Sequence, residues 1–181
     1  MQNLGTQELT TTNLILRKFN HKDAEALFEG WASNEDVTKF ANWQTHATLD
    51  ETKKVIGGWV KQYTTKPGFY RWAVEIEETH KVIGSVYVMF SYNDVRLFDV
   101  DFCFAPQYEK SDFAVEALNA VSEFLFVKVG ANRVQVRLDT EDTAKEEVLK
   151  KCTMDKEGVV RGGFINNQGI RDYSLFSVMA K

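Results

Sequence analysis

Between residues 96 and 138 the hydrophobic pattern changes period twice, and that change dictates what the rest of the chain can build. The stretch "RLFDVDFCF" (96–104) alternates strictly, with Phe98, Val100, Phe102 and Phe104 on one face and Leu97, Asp99, Asp101 and Cys103 on the other. From 113 to 128 the pattern turns helical: Ala114, Ala117, Leu118, Val121 and Leu125 recur with a period near 3.6, and Gly130 offers a stop. "RVQVRL" (133–138) returns to a strand. Strand, crossover helix and strand form one right-handed βαβ unit with its two strands parallel.

The remaining segments supply the flanks. "NLILRKF" (13–19) reads as a first strand, and Asp23 as the cap of a helix presenting Ala24, Leu27, Phe28 and Trp31. Residues 48–63 read as a second helix. "RWAVEIE" (71–77) and "KVIGSVYVMF" (81–90) form a hairpin, 143–152 a short helix, and 154–180 two final strands around a Gly/Asn-rich turn. The order β-α-α-β-β-β-α-β-α-β-β implies an α/β (α+β) fold, a mixed sheet covered by helices, in a single domain over residues 1–181.

Composition narrows the functional classes. A net charge of −4 opposes a nucleic-acid binder that relies on a broad basic surface. No stretch approaches a membrane span, and the opening residues lack the apolar run of a secretory signal, so a cytoplasmic protein is expected. The three histidines have no metal-ligand spacing, and Cys103 and Cys152 read as free buried thiols.

Four stretches in order, "TTNLILRKFNHKDAEALFEGWASNEDVTKF", "VIGSV", "EALNAVSEFLFVKVGANRVQVRLD" and "EGVVRGGFINNQGIRDYSLFSVM", resemble the RimJ/RimL-like branch of the GNAT N-acetyltransferases. The resemblance implies a mostly antiparallel seven-stranded sheet flanked by helices, with a V-shaped splay between the fourth and fifth strands, 96–104 and 133–138. It implies acetyl-CoA as co-substrate, its arm along Phe102, Cys103 and Phe104. Its pyrophosphate would sit on the loop Gln107, Tyr108, Glu109, Lys110, Ser111, Asp112 and on Phe113 at the helix start. It further implies a small amine or a protein N-terminus as acceptor, with homodimers common in the family.

The chain departs from the family pattern on the coenzyme side. Lys110 and Asp112 replace the two glycines of the phosphate loop, and Asp112 is expected to cap the helix itself. Asp142 and Lys145 stand in place of an Asn-x-x-Ser that carries a thiolate acid, Glu147 in place of an arginine, and Cys152-Thr153 in place of Ala-Gly. Weak or shifted coenzyme binding is therefore expected. The alternative is a non-catalytic module of the same fold, serving ligand binding or assembly.

Acetyl transfer to an amine needs a proton acceptor for the ammonium. Asp99 matches the family's acidic residue on the central strand, and Asp101 shares its face, so either serves as base or both are plain polar surface. Trp43 and Tyr70 are the candidates to line an acceptor pocket, while most other early aromatics read as core.

Overall fold

The computed structural model describes residues 2–152 and 154–180; Thr153 lies outside them. One sheet holds strands β1 (Leu9–Thr10), β2 (Leu14–Arg17), β3 (Arg71–Ile76), β4 (Lys81–Tyr92), β5 (Leu97–Phe104), β6 (Arg133–Asp139), β7 (Asp155–Asn166) and β8 (Gly169–Met179). They lie in the order β1-β2-β3-β4-β5-β6-β8-β7, eight strands rather than seven, because Leu9–Thr10 folds back antiparallel onto Leu16 and Ile15. All neighbours are antiparallel except β5 and β6.

The parallel seam is short. Leu97, Phe98 and Asp99 pair with Arg133, Val134 and Gln135, and there the two strands part. Beyond Asp99, β5 keeps its partner β4 but has no strand on its other side, as the V-shaped splay requires. Helix α4 (Asp112–Phe124, prolonged by a wider turn over Leu125–Val129) is the crossover, and Gly130 ends it in the left-handed conformation.

The alternation of β5 decides the two layers. Phe98, Val100, Phe102 and Phe104 pack beneath α4 with Ala114, Ala117, Leu118 and Val121. Cys103 faces the other side, against α1 (Ala24–Leu27, running into a wider turn over Phe28–Ala32) and α3 (Leu49–Thr65). The Phe104 ring lies so close to Gly84 of β4 that any Cβ there would collide with it.

Helix α1 is entered through a turn capped by Asn20, not by Asp23. Asp23 instead takes the third position of a capping box, accepting the Asn20 amide at 2.8 Å. Arg17 bridges that carboxylate at 2.9 Å and Glu75 of β3 at 2.7 Å, tying the first helix to the sheet. Burial pushes the Glu75 carboxyl up, but His80 and Arg17 together pull it below its ordinary value. A carboxylate lowered in the folded state stabilises fully above its unfolded value near 4.5 and ceases to as pH falls through the lowered one. In acid titrations followed by circular dichroism, Glu75→Gln should therefore flatten the loss of stability below about pH 4.5.

Candidate active site

Three strands place a polar row on the helix α1/α3 face of the sheet. Arg71 of β3 sits opposite Tyr87 of β4, and Tyr87 opposite Asp101 of β5. Strand periodicity makes all three point the same way. The Tyr87 hydroxyl donates to Asp101 Oδ2 at 2.8 Å, while the Arg71 guanidinium lies 3.8 Å from the centre of the Tyr87 ring.

A fourth element completes the row. Helix α5 (Thr143–Lys151) begins at Asp142, whose carboxylate caps it by accepting the Lys145 amide at 3.1 Å. That start aims Lys145 into the splay, where its ammonium donates to Asp101 Oδ1 at 2.7 Å. Burial alone would lower the Lys145 ammonium, but the carboxylates of Asp101 and Asp142 raise it well above the lysine range. The Lys145 and Asp101 side chains are only 16% and 14% exposed, so the bridge is shielded from solvent.

Three cavities meet here. One of about 380 Å³, between the sheet, α1 and α3, is lined by Trp31, Trp43, Trp59, Arg71, Tyr87 and Cys103 among others. A second of about 360 Å³ lies on the β6 side, between Asp101, Asp142, Lys145 and Phe164. A narrow inner space of about 20 Å³, with room for about one water, lies between Tyr87, Asp101, Cys103, Glu109 and Lys145 and shares lining residues with both. Phe40 and Trp43 lie over it on a loop held by Asn167, whose side-chain amide donates to the Thr38 and Trp43 carbonyls at 2.9 Å.

Of the two candidate carboxylates, the cavities reach Asp101 and not Asp99. Asp99 is 1% exposed at the last residue of the seam, where it accepts from Gln135 at 2.9 Å and faces the Arg137 guanidinium at 2.7 Å. Burial outweighs these partners and leaves its carboxyl raised. Although the two carboxylates share a strand face, the sheet draws Asp99 into the seam, and only Asp101 lines the cavities.

The aromatic candidates separate in the same way. Trp43 lines the cavity. Tyr70 does not: it is 3% exposed on the opposite face, stacked on Trp72 and edge-on to Phe98 and Phe124. It stands one residue from Arg71, and alternation sends the two to opposite faces.

Along the proposed coenzyme path, the side chains of Phe102 and Phe104 are core, and their strand contributes a free backbone edge from 100 to 104. The Phe102 amide donates to Asp101 Oδ1 at 2.8 Å. Burial pushes the Cys103 thiol up to about 12, so it is protonated at neutral pH, and it has no disulfide partner.

Gln107 is exposed, and Tyr108 packs on Phe113. The Glu109 carboxyl is raised by burial and by Asp142 nearby. Asp112 does not cap α4, as expected from the sequence. Ser111 holds the N-cap position, but its hydroxyl donates back to the Tyr108 carbonyl at 2.6 Å, while Asp112 turns outward to Lys151 at 3.2 Å. The start of α4 therefore lacks a side-chain acceptor, unlike α3 and α5. Lys110 pairs with Glu147 at 3.3 Å, a second tie between the α4 start and α5.

Sequence reasoning passed over Arg71, Ser85 and Tyr87, and read Lys145 only as a departure. Their signals were present: Arg71 interrupts an apolar strand out of phase with Trp72, and Ser85 and Tyr87 alternate against Val86 and Val88.

Among the described residues no cluster of His, Cys, Asp or Glu could hold a metal, and no helix is long and apolar enough to cross a membrane. The model of the acetyltransferase (GNAT) domain matches residues 13–155. An uncharacterized N-acetyltransferase of Bacillus subtilis, YoaA, is 27% identical over 171 residues, 94% of this chain and 96% of its own. The ribosomal-protein-S5-alanine acetyltransferase of Vibrio fischeri superposes with a TM-score of 0.80 at 17% identity, covering 97% of each chain. RimL, a ribosomal L7/L12 α-N-protein acetyltransferase solved with coenzyme A, gives 0.82 at 14% identity, covering 96% of this chain and 98% of that one.

Proposed function

Because the chain belongs to the GNAT acetyltransferase family, and is an acyltransferase by that membership, we propose that it moves an acetyl group from acetyl-CoA to a primary amine seated in the aromatic cavity. The observation that carries this reading is the position of Asp101, between Tyr87 and Lys145 where the cavities meet the splay.

Two features fit the coenzyme. The unpaired edge of β5 at 100–104 offers backbone groups to an amide-bearing arm, as an added strand would use them. The α4 start at Ser111, Asp112 and Phe113 offers N–H groups and the positive end of the helix dipole to a pyrophosphate. Bound there, the coenzyme supplies a thioester, an acetyl group already activated for transfer.

The chain's own residues do the rest. Asp101 accepts a proton from the acceptor's ammonium, directly or through the single water the inner space admits. Tyr87 and Lys145 fix that carboxylate from both sides. The Lys145 ammonium also sets a positive charge at the inner end of the splay, where negative charge on a departing sulfur is stabilised. Asp99 holds the seam, and the protonated Cys103 lines the wall. Mixing the protein with acetyl-CoA and a panel of amines, and following free thiol release, tests this; no thiol release and no coenzyme binding at millimolar concentration would sink it.

The coenzyme is held weakly in this reading. The Asp101–Lys145 bridge narrows the arm's inner end, and the Glu109 and Asp112 carboxylates stand beside the phosphate position. Calorimetry should show affinity rising about threefold to tenfold when Lys110→Gly and Asp112→Gly are combined, since a carboxylate near the helix start is removed and the backbone is freed to approach. An unchanged affinity would mean that the loop is not what limits binding.

A further inference from the structure

The cavity contains a cation without an anion. Among the described residues, the half-buried Arg17, Arg133, Arg137 and Arg171 each lie against a carboxylate. Arg71 has no such partner. Its guanidinium lies 4.2 Å from the centre of the Trp59 ring and 3.8 Å from that of Tyr87, and its buried Nε meets no hydrogen-bond acceptor. Two residues along the ladder on the same face, opposite Ala73, Ser85 is 2% exposed, and its Oγ also lacks a partner. Arg71 and Ser85 both line the same cavity of about 380 Å³.

Unsatisfied buried donors are costly to a fold. Two of them converging on one concave, aromatic-walled space mark a site completed by a ligand. The Trp59 and Tyr87 rings hold the guanidinium by cation–π attraction, which uses none of its N–H donors. The group that matches a fixed guanidinium and a hydroxyl is a planar oxyanion, taken by two parallel hydrogen bonds.

We propose that the acceptor is a small amine that carries a carboxylate, a free amino acid or a close analogue, with Arg71 and Ser85 binding the carboxylate. This rests on the acetyl-transfer reading and names its substrate class. The row Arg71–Tyr87–Asp101 sets the spacing: the carboxylate sits over one end of the Tyr87 ring, and the amine reaches Asp101 at the hydroxyl end. Amine and acid are thus a few bonds apart on one molecule. The rest of the cavity wall, including Leu27, Trp31, Trp43 and Val55, suits an apolar side chain. Burial lowers the Arg71 guanidinium from its usual value, and an anion beside it offsets that cost. The reaction balances as ammonium plus thioester giving amide plus thiol plus one proton, with Asp101 the first acceptor.

The test separates binding from transfer. Free amino acids from glycine to tryptophan, each beside its α-amide, and aminomethylphosphonate are titrated into the full chain by calorimetry without coenzyme. At least one amino acid should bind about tenfold or more tighter than its amide. Arg71→Gln should bring that ratio toward one, and Arg71→Lys should restore it in part. If Arg71→Gln fails to fold, Ser85→Ala should still weaken the carboxylate severalfold. A preference for the phosphonate over every carboxylate, amides binding as well as acids, or no binding by the wild-type protein would each overturn the assignment. If the carboxylates bind as described and no acetyl group is transferred, the transfer reading fails and the site stands.

Discussion

Replacing Asp101 with asparagine is expected to lower kcat by about 10²–10⁴, the usual contribution of a positioned general base. The same change should weaken the fold by about 3 kcal/mol, because the Lys145 ammonium loses its bridging carboxylate and keeps only Asp142 while still shielded from water. The two effects are separable. Adding Lys145→Met removes the stranded charge, so the double variant should recover most of the melting temperature and none of the turnover. Recovery of turnover in the double variant would mean that the bridge, and not the base, was what the first substitution damaged.

The second large effect lies one residue from the cavity, on the other face of β3. Trp72 is fully buried, stacks on Tyr70, meets Phe124 edge-on, and donates its indole N–H to the Gln7 carbonyl at 2.7 Å. Trp72→Ala should cost about 3–5 kcal/mol, from lost contacts, a residual void and a carbonyl left without its donor. For a chain of this size that lowers the melting temperature by roughly 10 °C. Below the transition, substrate preference should be unchanged, since the residue points away from the site. Thermal denaturation and the amine panel, run side by side on Trp72→Ala and Arg71→Gln, should therefore show opposite patterns.

That contrast explains how much the sequence could reveal. Elements with long regular periods were legible: the strand at 96–104, the helix from 113 and the strand at 133–138 appear as Leu97–Phe104, Asp112–Phe124 and Arg133–Asp139. Short elements were not. The two residues of β1 and the four of α2 (Glu35–Thr38) have too few positions to show a period, and depend on tertiary contacts.

The site was half legible for a related reason. Asp101 is conspicuous because it breaks an apolar alternation. Its partners sit at 71, 87 and 145, and only strand register and the α5 cap bring them together. Lys145 on a charged helix looks solvated until the splay gives it somewhere to point. Tyr70, a candidate for the acceptor pocket, lies on the other face because a strand alternates its faces residue by residue and Arg71 takes the cavity side.

The three-residue seam between β5 and β6 also has a mechanical consequence. It is a fulcrum. On one side of it stand β1 to β5 and on the other β6, β8 and β7, each block stitched internally by longer antiparallel ladders. Past the fulcrum, the five residues 100–104 form a lever arm of about 17 Å. A tilt of a few degrees, absorbed by so few hydrogen bonds, moves the far end by about an ångström, while Asp101, the second residue past the pivot, moves roughly two fifths as far. Exposed pairs such as Lys110–Glu147 and Asp112–Lys151, which yield to salt, tether the far end together with the Asn167 bonds to Thr38 and Trp43 and the packing of Val148 and Leu149 with the α4 core. The protein can thus breathe more at the mouth of its groove than at the Asp101 carboxylate.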